Sequence, residues 1–163
     1  MTAIVTAARG LNIFVGLEHC FFMSLETIFW RTKARSVFRT RSADLNATAG
    51  MAAQQGIYNL FLAVGAILSA AIVDHRGLVV YPMFMLWAAC FGATSILPKI
   101  FLFQGMPALV TVAVALLAFP TQGEALNLTI LGVVGAAVLA VGGAYWKKVD
   151  EEAKGAAEPM VNK

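Results

Sequence analysis

The sequence predicts an all-α fold, a polytopic membrane helix bundle, and three observations predict it. The first is composition: of 163 residues, 60% are hydrophobic and 13% charged. A soluble domain is typically about 45–50% apolar and about 25% charged. A chain of this length has too little interior to hide the excess from water. The second observation is the length of the apolar runs between charged or proline breaks. The third is that the basic residues gather mostly in every second break along the chain, and so on one side of a membrane.

A bilayer core is crossed by about 20 apolar residues in a helix, and five runs meet that length. The first spans about 6–30 and stops at Arg31. Its length, its internal Glu18, His19 and Glu26, and the lack of a small-residue cleavage site after it distinguish it from a secretory leader. The second, 51–73, ends at Asp74, His75 and Arg76. The third, 78–97, is closed by Pro98 and Lys99, and the fourth, 100–119, by Pro120. The fifth, 126–146, ends at Lys147 and Lys148. Residues 1–148 therefore read as one transmembrane bundle, followed by a polar tail over 149–163.

Arg31, Lys33, Arg35, Arg39 and Arg41 lie between the first two runs, Lys99 between the third and fourth, and Lys147, Lys148 and Lys154 after the fifth. Five crossings place all of these on one side, which the positive-inside rule makes cytoplasmic. The N-terminus is then outside and the C-terminus in the cytoplasm. The expected location is an integral, multi-pass position in a bacterial inner membrane or a eukaryotic organelle membrane. Short connections make sequence neighbours antiparallel neighbours. The longer first connection reads either as a solvated basic loop or as a short interfacial helix around Val37 and Phe38.

The net charge of +3 comes from 12 Lys and Arg against 9 Asp and Glu. No exposed basic stripe or recognition module accompanies it, so nucleic acid is excluded as a partner. Cys20 and Cys90 sit in separate apolar runs and read as small hydrophobes. No nucleotide loop, serine-hydrolase elbow or zinc-protease motif occurs. One intramembrane imidazole makes no usual zinc or haem site, so neither metal nor cofactor is expected. Trp30 and Trp146 read as interfacial anchors, Trp87 as packing, and Pro107 as a kink whose freed carbonyl either points at the pocket or is satisfied by Thr111.

The candidate site comes from polar residues inside the runs. An ionisable side chain at mid-membrane is costly, so it faces the bundle interior and usually has a role. Glu18, His19 and Glu26 all lie in the first run, with His19 and Glu26 seven residues apart on one helical stripe. The second run opens with Gln54, Gln55, Tyr58 and Asn59, which fit within about 140° of a helix circumference. Gly56 points elsewhere and permits close backbone approach. Gln104 enters the fourth run about one turn past Lys99. Two carboxyls and an imidazole suit proton or cation handling, and the amides and phenol suit hydrogen bonding to a small ligand. Taken alone, the amides also read as interhelical glue.

The segments Val15 to His19, Leu25–Glu26, Trp30, Phe38, Gln55 to Ala63 and Gln104 to Ala108 together resemble a family of small bacterial and fungal membrane proteins, domain of unknown function 1304. The family pattern has Asn where this chain has Gln54 and Gly where it has Leu60. The resemblance implies a helical membrane bundle with this polar set, typically of four helices, which makes 126–146 an addition. It implies no activity.

Three functions stay open on the sequence. The leading one is a non-enzymatic membrane protein whose pocket binds or passes a small polar or protonatable solute. The second is an accessory subunit of a larger membrane complex, docking other membrane subunits through the small-residue helix 126–146. The third is an intramembrane acid–base enzyme acting on a lipid-soluble substrate, with Glu and His moving protons.

Overall fold

The structure, a computed structural model, describes residues 3–38, 42, 44–96, 98–120, 132, 135, 139–140, 142–144, 146–149 and 151–152. All its regular elements are helical: α1 (Ala3–Thr27), α2 (Trp30–Val37), α3 (Asp44–Ile72), α4 (His75–Ser95), a π-helical segment (Phe101–Gly105) and α5 (Met106–Ala118). α3, α4 and the continuous stretch Phe101–Ala118 are long and apolar enough to cross a membrane. α1 is 25 residues long, but Arg9, Asn12, Glu18, His19 and Glu26 leave it less apolar than those three.

The sequence expects the first three long helices to start later than they do. α3 begins at Asp44, seven residues before the first apolar position of its run. Its first turn is closed from two directions. Thr48 Oγ1 donates to Asp44 O at 2.6 Å, and the Trp30 indole N–H donates to Leu45 O at 3.1 Å and to Thr48 Oγ1 at 3.3 Å. Trp30, read from sequence as a lipid anchor, thus clips the start of α2 to the start of α3. Its ring also lies 5.8 Å from that of Phe38. The connection between the first two long helices accordingly contains a short helix, α2, the second of the two readings open for it.

α4 begins at His75 because Asp74 caps it, accepting from the backbone N–H groups of Arg76 and Gly77 at 3.2 Å each. The turn before it is tight. The Asp74 N–H reaches back to Ser69 O at 2.9 Å, and Val73 takes a left-handed φ of 58°, the cap geometry in which glycine is usual. Arg9 reinforces this end of α3 by donating from Nε to Ala70 O at 2.6 Å, placing a cation at a helix C-terminus.

The four long helices pack as a ring in which α1 meets α3 and α5, and α4 meets α3 and α5. Neighbours run antiparallel. The α1–α3 contact is the most extensive and rests on small residues. Ala52, Gly56, Ala63, Ala66 and Ala70 are buried on one face of α3. Opposite them α1 buries Ala8, Asn12, Val15, Gly16 and His19. A Cβ at Gly16 would lie 2.7 Å from Ile67 Cγ1 and 3.1 Å from Ala63 O. One at Gly56 would lie 2.7 Å from Thr27 Cγ2 and 3.1 Å from Met23 O. Both glycines therefore let backbones approach closely, the usual device for joining helices where no water is displaced. Two apolar clusters fill the rest: Ala8, Ala70, Leu78, Val79, Ala115 and Phe119 near one end, and Val15, Ala66, Met85 and Ala108 further along.

Most of the expected fifth helix, 126–146, lies outside the described residues. Those of its positions that are described, such as Gly135 and Gly142, are helical. These two glycines sit directly against Trp87 and Phe91 of α4. Beyond it, Glu151 and Glu152 are helical as well, and Lys148 pairs with Glu152 at 3.9 Å across one turn. The remainder of the expected tail is also outside the described residues.

The α1–α3 seam predicts a contrast between two glycines of one helix. A Cβ at Gly50 meets nothing within 4 Å, so Gly50→Ala should raise stability by up to about 1 kcal/mol through helix propensity. Gly56→Ala should instead destabilise by about 1–3 kcal/mol through overpacking. Thermal unfolding of the two variants in one detergent checks both signs.

Candidate functional site

Beside the α1–α3 seam, the end of the bundle carrying α2 holds a cavity of about 900 Å³. α1 contributes Glu18, Phe21, Phe22, Leu25 and Glu26, and α3 contributes Gln55 and Asn59. α4 supplies Trp87, Phe91 and Gly92 among others, and the π-helical region supplies Lys99, Phe103 and Gln104. Val37 and Phe38, at the end of α2, complete the wall. The lining is mostly aromatic and aliphatic, with a few polar groups, the usual make-up of a small-molecule site.

Four of the polar residues form two interhelical pairs, whereas Glu18, Gln55 and Lys99 make no side-chain hydrogen bond among the described residues. Asn59 Nδ2 donates to Glu26 Oε2 at 2.6 Å, linking α3 to α1. His19 is fully buried and held on both nitrogens. Nδ1 lies 2.9 Å from Val15 O, and Nε2 lies 2.9 Å from the amide nitrogen of Gln104. A carbonyl oxygen only accepts and an amide NH₂ only donates. Nδ1 therefore carries the proton, Nε2 accepts, and the ring is the neutral Nδ1–H tautomer. Phe22 packs edge-on to it at 5.7 Å. Among the described residues Glu18 Oε2, the Trp87 indole nitrogen and Asn12 Oδ1 are buried without a hydrogen-bond partner.

Gln104 reaches His19 because of the backbone it stands on. Pro107 has no N–H to offer the preceding turn, and the helix answers with a wider turn. The Met106 N–H bonds to Phe101 O, five residues back, a register found often at functional sites. Thr111 Oγ1 donates to Pro107 O at 2.8 Å. The expected kink is thus a π-helical segment, and Thr111 serves the carbonyl of the proline itself.

The eight residues singled out from sequence separate into three groups. Glu18, Glu26, Gln55, Asn59 and Gln104 all line the cavity. His19 stands behind Gln104, joined to the wall by that one bond. Gln54 and Tyr58 are exposed on the outer face of α3 and do not line it. The reason is angular. The buried small residues of α3 define an inward direction from which Asn59 departs by about 20° and Gln55 by about 60°, but Tyr58 by about 120° and Gln54 by about 160°. An arc of about 140° is too wide for one interior when the glycine seam claims the centre.

Two participants were not singled out as site residues. Trp87 read as packing, and nothing in its apolar surroundings distinguishes it. Asn12 carries a signal: it precedes His19 by the seven residues that separate His19 from Glu26, and so shares their stripe. It is fully buried, and its Nδ2 donates to Ala8 O at 3.0 Å and Leu78 O at 3.1 Å.

The profile of a family described as "Protein of unknown function (DUF1304)" matches residues 13–117. The chain belongs to the DUF1304 family. The match takes in α1 from Ile13 onward and runs to the last turn of α5, so every residue of the two interhelical pairs lies within the DUF1304 region. The segment 126–146 lies beyond it. Neither a curated protein nor a solved structure matches this DUF1304 chain.

The His19–Gln104 pair is testable directly. Nitrogen-15 NMR of labelled His19 should give a protonated Nδ1 and an unprotonated Nε2. Gln104→Leu should cost about 1–3 kcal/mol by leaving a buried acceptor unsatisfied. Adding His19→Leu should cost less than the sum of the two single changes, which a double-mutant cycle in chemical unfolding measures.

Proposed function

We propose that this protein is a multi-pass integral membrane protein whose intramembrane cavity binds or passes a small polar or protonatable solute. The observation that carries the reading is the pair Glu18 and Glu26: two carboxyls in the wall of a roomy, mostly apolar cavity, neither ion-paired with a described residue. Such a wall suits a small ligand or a proton.

In this reading α1 is a further span beside the three apolar ones. It lies along α3 from Arg9, bonded to Ala70 O, to Thr27, packed on Gly56. It also turns Asn12 and His19 inward, where both are fully buried. The segment 126–146 makes a fifth span, with the N-terminus outside and the C-terminus cytoplasmic. Gly135 and Gly142, set against Trp87 and Phe91, support packing on this bundle over docking another subunit. The cavity then faces the cytoplasmic side, beneath α2 and the basic connection. Glu18 and Glu26 act as proton or cation partners, and Gln55, Asn59 and Gln104 as hydrogen-bonding walls. Among the described residues His19 has both nitrogens engaged and does not line the cavity. This favours a positioning role for His19 over the acid–base shuttle an enzyme would need.

Native mass spectrometry of the protein purified from membranes tests the reading. The wild-type chain should retain a small molecule at near one-to-one stoichiometry, and Glu18→Gln/Glu26→Gln should lose it while keeping a cooperative melt. A double variant that changes only the melting temperature, with the same retained species, would make the carboxyls structural and overturn the proposal.

A further inference from the structure

Resting on that binding reading, we infer that the occupant of the cavity is a lipophilic cation: an amine or ammonium carried on an apolar, preferably aromatic, body.

The inference follows from which hydrogen-bonding capacity the protein leaves open. Asn59 directs an N–H at Glu26, and Gln104 directs one at His19. No hydrogen bond among the described residues engages the carbonyl oxygen of either amide. Glu18 Oε2 has no partner among the described residues. The α1 side of the wall thus offers carboxyl acceptors, while the open donors, Gln55, Lys99 and the Trp87 indole N–H, stand on the other elements. Such a wall selects a ligand that donates.

Charge narrows the class. Neither Glu18 nor Glu26 forms an ion pair with a basic side chain among the described residues. Lys99 lines the same cavity, is exposed, and forms no ion pair there either. An ionised carboxylate is favoured in such a wall only beside a counter-charge, and the described residues offer none in contact. An ammonium on the ligand supplies it, with N–H groups for the open oxygens.

The apolar walls complete the match. Phe22, Trp87, Phe91 and Phe103 surround the acidic groups, and aromatic faces attract cations while receiving a hydrophobic body. Glu18 and Glu26 stand eight residues apart on α1, about 12 Å along its axis. One ammonium therefore engages one of them at a time. Glu18, nearer the middle of α1 and hydrogen-bonded to no described residue, takes the bound charge. Glu26, already bonded to Asn59, stands nearer the α2 end of α1 and meets a cation on its way in.

The test uses the full chain in zwitterionic phosphatidylcholine nanodiscs, titrated calorimetrically against empty discs with three probes of one skeleton: 4-phenylbutylamine, 4-phenylbutanol and 4-phenylbutyrate. The amine should bind saturably at one per chain and at least about tenfold tighter than the alcohol, the order of a hydrogen bond to a charged group. The carboxylate should not bind. Glu18→Gln should bring the amine down to the affinity of the alcohol, and Glu18→Asp should keep part of the preference. Equal binding of amine and alcohol to the native chain would overturn the cation while leaving the cavity a binding site. Binding of none of the three would overturn both. The comparison on the native chain decides the matter even if a variant fails to fold.

Discussion

The close approach of α1 to α3 is the constraint on which the rest of this bundle depends. α1 carries two carboxyls, an imidazole, a buried amide and an arginine, a burden that an isolated helix in lipid would not bear cheaply. α3 makes it tolerable by presenting a face of alanines and glycines. At Gly16 and Gly56 the two backbones come near enough that a methyl group would collide. That proximity fixes the depth and rotation of every polar group on α1. It puts Arg9 on the last carbonyls of α3, Asn12 on the first turns of α4, and Glu26 within reach of Asn59.

Once α1 is fixed, its polar stripe is satisfied only in part. Asn12 Nδ2, both His19 nitrogens and one oxygen of Glu26 are bonded, while Asn12 Oδ1 and Glu18 Oε2 are buried without a partner among the described residues. The bundle runs from a closed core near Ala8 and Phe119 to a cavity beneath α2. The π-helical turn before Pro107 belongs to the same arrangement, since it sets the register at which Gln104 meets His19. Trp87 and Phe91 tie the far wall to the glycines at 135 and 142. The cavity is therefore bounded by α1, α3, α4, the end of α2 and the π-helical region without being filled by any of them.

Much of this was legible in the residues. The breaks at Arg31, Asp74 to Arg76, Pro98–Lys99 and Pro120 bounded the four long helices to within a few positions. The exception was the start of α3, which hydropathy placed at Met51 because Asp44 to Gly50 is not apolar. Side-chain bonds from Trp30 and Thr48, invisible to a hydropathy count, make it helical. Gly56 was readable as a point of close approach, and five of the eight polar residues came to one cavity because depth and face were computable from helical rise and twist. Gln54 and Tyr58 turned outward because adjacency in sequence is not adjacency on a helix, and the seam had first claim on the inward direction. The π register was beyond reach, since a proline announces a disturbed turn but not which repair the helix will choose.

The claim most exposed to contradiction is that α1 crosses the membrane with one face on a water-reachable cavity and the other on lipid. Thiol accessibility measures this directly. In a background with Cys20 and Cys90 replaced by alanine, Phe22→Cys lies on the cavity wall, whereas Leu17→Cys takes the place of a side chain 58% exposed on the outer face. A water-soluble maleimide applied to the reconstituted protein should modify Cys at 22 and leave Cys at 17 intact, because only a hydrated thiol ionises to react. Equal labelling of both would place α1 outside the bilayer, and labelling of neither would close the cavity to water; either result contradicts the account.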